Sequence, residues 1–479
     1  MNRDINYYND LVDEINLNDI TSSKENYKIL QRLKDNEQRS VVMIPDIDIG
    51  RQSNDGDFTV RDGDDLGWLG YFIGKSNQLS LLGFHQFQAE REQREQIYEM
   101  MEGIKRNQSI SRLVIDTDHV GIIENLGPLF GGNKNLKSLQ YEGEHTLNVA
   151  SALEVPSSLT CLNVHGQDGL DDDGDEGLLG IFTALRGQAQ LEQMSILGYN
   201  FGRPCCEALG TLLRTTSRLT QLDLGNNAID DLGLSMLAAA AGLNCHIQRI
   251  FLVNCQDITA VGLRAFGSVF QSVNCNLQYL DIRSIRIDDA GLEALATGLA
   301  GNKSLNTLRF DRDDASITGT GWSALSTLLC DTSSINNIYL SNHTLRNFGS
   351  GDTPSNIVQY LKLNEIYDRR AVAKCKILLH HPDLNVEPFF LHKLKFLPIV
   401  MSWLQSGTSY LFYLEESHDK YQRRELSTVY KFIRGMPLTT VDGYWNQRLK
   451  DIHSKKRQLQ LDLQMLEDDE RCVLKRVRR

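Results

Sequence analysis

Large apolar side chains along this chain follow one short template, in which the first, fourth and sixth positions are aliphatic and the residues between them are polar. LTQLDLGNNAID shows it with Leu219, Leu222 and Leu224, followed by Asn227 and Ile229. The same spacing lies on KNLKSLQYEGE (Leu136, Leu139, Tyr141), SSLTCLNVHGQ (Leu159, Leu162, Val164) and AQLEQMSILGYN (Leu191, Met194, Ile196). It continues on CHIQRIFLVNCQ (Ile247, Ile250, Leu252), CNLQYLDIRSI (Leu277, Leu280, Ile282), KSLNTLRFDRD (Leu305, Leu308, Phe310) and SSINNIYLSNH (Ile335, Ile338, Leu340). Weaker copies precede these at NQLSLLGFHQ (Leu79, Leu82, Phe84) and SISRLVIDTD (Ile110, Leu113, Ile115). Alternation over the fourth to sixth positions predicts a short strand in each copy. From Leu191 onward the copies are about 28 to 30 residues apart, a spacing typical of stacked repeats.

The second half of each unit reads as a helix. In IDDLGLSMLAAAA, residues Ile229, Leu234, Leu237 and Ala241 keep a period near 3.6, and Asp230 and Asp231 stand where a helix dipole favours acid. IDDAGLEALATGLA, from Ile287 to Ala300, repeats the arrangement. About ten strand-helix units stack, and helices wider than strands bend such a stack into a horseshoe.

Taken with its spacing, Leu-x-x-Leu-x-Leu-x-x-Asn-x-Ile-x-x-x-Gly-Leu-x-x-Leu resembles the ribonuclease-inhibitor type of leucine-rich repeat, over roughly residues 66 to 348. The resemblance implies an α/β leucine-rich-repeat solenoid, a horseshoe with parallel strands inside and helices outside, followed here by a helical C-terminal region. It also implies that Asn227 and Cys255 are rungs of a ladder capping backbone groups inside the turns. Tyr199, Ile285, Asp313 and His343 take the rung position in other copies, so an irregular ladder is expected.

Function should then lie between the leucines, because alternate residues of a strand face opposite sides. Early copies present small or polar groups such as Ser138, Asn163 and Ser195. Later copies present Arg249, Phe251, Tyr279, Asp281, Arg283, Arg309, Asp311 and Tyr339. Arginine and aromatic side chains are the ones that anchor interfaces, which points to a protein partner on the concave face. The competing reading pairs the arginines with Asp281 and Asp311. A second feature is the acidic insert GQDGLDDDGDEG, with Asp171, Asp172, Asp173, Asp175 and Glu176 on the rim. A solvated loop and a dock for a basic partner both fit it, and it lacks the spacing of a calcium loop, so no metal is expected.

Composition narrows the class. The chain has 479 residues, of which 41% are hydrophobic and 23% charged, and its net charge of −12 argues against nucleic-acid binding through the whole surface. No apolar run spans a bilayer, and the acidic start MNRDINYYNDLVDEINLND lacks a secretory pattern, so neither membrane insertion nor export is expected. Nine cysteines without a C-x-x-C pair read as reduced thiols. The expected compartment is the cytoplasm, with the nucleus second. FIGKS, Phe72 to Ser76, ends like a phosphate loop but has Leu69 where the first glycine belongs, and LGWLGYFIGKSNQL instead predicts a capping helix entering the first strand. No catalytic constellation is defensible from spacing, and neither an enzyme nor a cofactor is expected.

The predicted organisation is an acidic segment, partly helical or disordered, over 1–65; the repeat array over 66–348; a helical capping region over 349–444; and a heptad-patterned helix with a basic tail over 445–479. In that tail Trp445, Leu449, Ile452, Leu459, Leu463, Leu466 and Val473 form a seam with steps of four and three, interrupted by Lys456 and Glu470. It predicts either a coiled-coil homo-oligomer or a single helix. The functional expectation is a non-enzymatic protein-interaction scaffold. The alternative is a GTPase-activating protein of the Ran activator type, whose array is similar but whose tail is acidic where this one is basic.

Overall fold

The computed structural model describes residues 3–37, 41–45, 56–61, 64–87, 94–166, 174–311, 316–349, 351–366 and 368–381, with 454, 456–461 and 464–465 near the C-terminus. It divides into two compact units, one of Met1–Trp322 with Asn347–Asp352 and one of Ser323–Arg346 with Thr353–Arg479.

The first unit is built on ten strands: β1 (Val41–Pro45), β2 (Leu81–His85), β3 (Arg112–Asp116), β4 (Ser138–Glu142), β5 (Cys161–His165), β6 (Gln193–Leu197), β7 (Gln221–Asp223), β8 (Arg249–Phe251), β9 (Tyr279–Asp281) and β10 (Thr307–Arg309). They form one sheet in chain order, and every neighbouring pair is parallel. Parallel order requires a crossover between strands, and each crossover carries a helix. Helices α1 (Ile5–Leu11), α2 (Leu17–Ile20) and α3 (Lys24–Lys34) precede β1. Then come α4 (Leu66–Lys75), α5 (Arg94–Ile104), α6 (Val120–Ile123), α7 (Leu126–Gly132), α8 (Thr146–Leu153), α9 (Gly174–Leu185), α10 (Arg203–Thr215), α11 (Asp231–Ala241), α12 (Ala260–Gln271), α13 (Asp289–Leu299) and α14 (Gly319–Leu329). Successive helices pack side by side, as α4 on α5 and α11 on α12 do. This is the α/β repeat solenoid that the leucine spacing predicts.

The template leucines form its core: Leu219, Leu222 and Leu224 are buried, as are Leu277, Leu280 and Ile282. Three hydrogen-bond ladders tie neighbouring units. In the first, Asn227 accepts the Tyr199 amide at 2.8 Å and donates to the Ile196 and Leu224 carbonyls at 2.7 and 2.9 Å. Cys255, the next rung, donates its thiol to the Leu224 carbonyl at 3.2 Å. The second lies before the strands, where Asn107, Asn244 and Asn302 donate to the Ile73, Leu213 and Phe270 carbonyls of the unit before. In the third, Asp231 accepts the amides of Thr259 and Gly262, and Asp289 those of Thr318 and Gly321.

Three sequence expectations are corrected. β1 pairs with β2 within the stretch read as an acidic segment, so the sheet starts upstream of residue 66. The helices before it are held by Arg3, which bonds Glu99 and Asp65, and by Tyr8, which donates to buried Glu99 at 2.8 Å. Consequently α4, which contains the Gly-Lys of FIGKS, lies between β1 and β2 and is the helical half of the β1 unit rather than a cap before the first strand. The third correction is SSINNIYLSNH, which forms a helix, α15 (Ile335–Leu340), and not a strand. Ser334 caps it by accepting the Asn337 amide at 3.1 Å, which selects helix over strand there. The edge of β10 is instead met by Asn347, whose carbonyl accepts the Leu308 amide at 2.9 Å.

The second unit contains α14 from Ser323 onward, α15, α16 (Ser355–Asn364) and α17 (Arg369–His380). Leu363, Val372 and Cys375 form a small core with Ile366, Leu378 and Leu379. Lys376 is wholly buried and donates to the Leu329 carbonyl at 2.6 Å, the Asn342 carbonyl at 3.2 Å and His343 Nδ1 at 3.2 Å. Among the described residues no helix is long and apolar enough to cross a membrane.

Candidate functional site

In each strand the residues between the template leucines point to the open face, and the parallel register lines them up in rows. The row Gln221, Arg249, Tyr279, Thr307 crosses β7 to β10, and Asp223, Phe251, Asp281, Arg309 run beside it. Beyond the strand ends Gly225, Val253, Arg283 and Asp311 follow two residues on. Seven of the eight concave residues expected from sequence therefore share one face. Tyr339 does not, because it lies on α15, where it is 53% exposed.

Asp281 organises this patch. It is 0% exposed, and Arg283 binds it through Nε at 2.8 Å and Nη2 at 2.9 Å. Tyr279 donates its hydroxyl to the same carboxylate at 3.2 Å, and Arg309 Nη1 stands 3.6 Å from it. Arg309 also donates to the Tyr279 hydroxyl at 3.2 Å. The hydrogen bonds that Arg283 donates to Asp281 raise its pKa further. Asp311 accepts the amide of Ser284, a residue in left-handed conformation (φ 59°), so this carboxylate fixes a turn. The competing pairing of Arg283 and Arg309 with acids is thus present. Arg249 is different: it is exposed and stands between neutral Gln221 and Tyr279 in its row.

Beside the charges lies an apolar floor. The rings of Phe251 and Tyr279 are 5.1 Å apart between centroids. The Leu197 side chain lies beside Gly225, its Cδ2 at an ordinary contact distance of 3.7 Å from where a Cβ would stand. Asp223 is half-buried and accepts the Gly225 amide at 3.0 Å, and burial pushes its pKa up.

Toward the other end, the row His85, Asp116, Glu142, His165 sets two carboxylates between two imidazoles, with His85 paired to Asp116 and His165 3.7 Å from Glu142. Burial raises the Asp116 pKa. In the acidic insert Asp175 lies in the first turn of α9 and takes the Gly202 amide on both oxygens at 3.1 Å, so it joins two units; Glu176 is exposed. Asp171, Asp172 and Asp173 lie outside the described residues, as do Trp445, Leu449, Ile452, Leu463, Leu466 and Val473 of the heptad seam; Leu459 lies in a short helical piece and is half-buried. Sequence reading missed the asparagines of the second ladder. Their signal is an Asn three residues before a first leucine, as in Asn107–Ile110, Asn244–Ile247 and Asn302–Leu305.

The array is thus a leucine-rich-repeat scaffold with an open sheet face. A family model described as Leucine Rich repeat matches residues 218–238 and 273–296. Human NACHT, LRR and PYD domains-containing protein 3 is 32% identical over 170 residues, covering 34% of this chain and 16% of that protein. Mouse ribonuclease inhibitor is 30% identical over 203 residues, covering 41% of this chain and 43% of the inhibitor. The chain therefore spans less than half of either relative. Among solved structures, the leucine-rich repeat-containing protein LegL7 from Legionella pneumophila aligns over 65% of this chain and 97% of its own, with 13% identity and a TM-score of 0.38. Over these stretches the chain is similar to ribonuclease-inhibitor-like leucine-rich-repeat proteins, in keeping with the resemblance carried by its leucine spacing.

Proposed function

We propose that this chain is a non-catalytic protein-interaction scaffold whose partner seats on the open face over β7 to β10. Leucine-rich-repeat proteins in general mediate protein–protein interactions, which supports the class. The observation that carries the placement is the Phe251–Tyr279 ring pair beside exposed Arg249 and two guanidiniums held by Asp281. Aromatic and arginine side chains held in place give contact area with little ordering cost.

The test is cross-linked affinity capture from native lysate, comparing wild type with a Phe251→Ala, Arg249→Glu double variant. Loss of a dominant captured protein, with an unchanged circular dichroism spectrum, is the expected result. Capture identical to wild type refutes the placement. Stimulated GTP hydrolysis by the purified chain would replace the scaffold reading with the GTPase-activator alternative.

A further inference from the structure

Resting on the open-face reading, we infer that the site takes an extended protein segment carrying a carboxylate next but one to an apolar side chain, with Arg249 as the receptor for the carboxylate.

The charge at Arg249 decides this. Among the described residues of the patch, Asp281 is taken up by Arg283 and Tyr279, whereas Asp311 and Asp223 accept the Ser284 and Gly225 amides and keep their charge. Two of its three guanidiniums are engaged as well, Arg283 and Arg309 both lying against Asp281. Arg249 remains, exposed and flanked in its row by the neutral groups of Gln221 and Tyr279. The charge offered to a partner at this point of the face is therefore positive. A guanidinium presents a planar fork that matches a carboxylate, so an acidic side chain is its complement. A basic side chain at this point would meet the Arg249 guanidinium, a like-charge contact that disfavours it.

Spacing supplies the second half. Phe251 is two residues from Arg249 on the same strand and faces the same side, which puts the two about 7 Å apart. On the neighbouring strands Leu197 lies beside Gly225, an apolar side chain on the same face. An extended partner segment has the same period, so residues i and i+2 reach both features at once. The apolar ring of Phe251 beside the guanidinium favours a segment that pairs a carboxylate with an apolar side chain.

The probe is a phage-displayed random dodecapeptide library selected on the full chain, with enriched sequences remade as fluorescein-labelled peptides and measured by anisotropy. The expected consensus is Asp or Glu with an aliphatic or aromatic residue two positions away. Both Arg249→Glu and Phe251→Ala should weaken these peptides at least tenfold, with circular dichroism unchanged. Enriched peptides that are neutral or basic, or whose binding ignores Arg249→Glu, overturn the inference. If their binding still falls in Phe251→Ala, the open-face reading survives while the partner chemistry fails. If it responds to neither variant, both fail. Binding of labelled poly-uridylate that is lost in Arg249→Glu overturns it in favour of nucleic acid.

Discussion

Asn227 offers the sharpest test of how the array is held. The residue is 2% exposed and makes three hydrogen bonds, one from the Tyr199 amide and two to the Ile196 and Leu224 carbonyls. In Asn227→Ala the Leu224 carbonyl keeps the Cys255 thiol, so two backbone groups lose this partner. An unsatisfied buried group costs about 1 to 3 kcal/mol, which gives roughly 2 to 6 for the pair. Water entering the space left by the amide would bring the value toward the lower half, about 3 kcal/mol. Cys255→Ala removes one weak donor from a carbonyl that Asn227 still serves, so about 1 kcal/mol is expected. The double variant strips both donors from Leu224 and should cost more than the sum, by about 1 kcal/mol. Urea unfolding followed by circular dichroism reads the free energies at constant m, and hydrogen exchange at the Tyr199 amide reads the bond itself. A loss in Asn227→Ala under about 0.5 kcal/mol, or an unchanged Tyr199 exchange rate, would refute the ladder as a source of stability.

Three further outcomes follow from other contacts. Burial pulls the Lys376 pKa down to about 7, whereas an unfolded lysine titrates near 10.4. Between those values the unfolded chain binds the extra proton, so this group makes stability rise with pH from about 7 to 10.4 and adds no slope below 7. Lys376→Met should remove that increment from the pH dependence of the thermal midpoint, and identical pH profiles for the two proteins would count against it. Gly70→Ala places a methyl against the Met100 backbone of α5 and should cost about 3 kcal/mol in urea, whereas Gly301→Ala, with open space but φ +77°, should cost only about 1. Asp281→Ala frees Arg283, Arg309 and the Tyr279 hydroxyl, and because both guanidiniums can rehydrate the expected loss is about 2 kcal/mol. Equal urea midpoints for wild type and Asp281→Ala would show that the arginines are held by something else.

Most of the array was legible because each strand buries its leucines and each helix its own stripe, and both periods survive in one sequence. The last unit was misread for a physical reason. SSINNIYL has the right apolar spacing, but Ser334 caps a helix there, and one face of a short helix satisfies the same spacing as a strand. A stricter signal was present. Asn342 stands three residues before buried Leu345 and accepts the amides of Thr344 and Leu345, as Asn302 does for Ser304 and Leu305. Hydrogen-bonding residues that close a turn tolerate no shift in register, whereas apolar positions tolerate several. The strand at Val41–Pro45 escaped notice because its register puts Arg39 three residues before Val42, where the template has its first apolar residue.

The open face was legible as columns but not as a circuit, and the difference bears on where function can reside. All three ladders lie off that face: Asn227 in the turn after a strand, Asn244 in the turn before one, and Asp231 and Asp289 at helix starts. Outward strand positions are therefore released from holding the stack together and can vary with the partner. Asp281 is the exception, since it points outward yet is fully buried under Arg283, Arg309 and Tyr279. A buried carboxylate on a binding face spends its charge on neighbours, so its value lies in fixing two guanidiniums and a phenol before any partner arrives. Changes at Asp281 should then alter affinity through the positions of its neighbours, and changes at Arg249 through direct contact. Their effects on binding should be separable by salt: the exposed Arg249 contribution screens with ionic strength, and the Asp281 contribution persists.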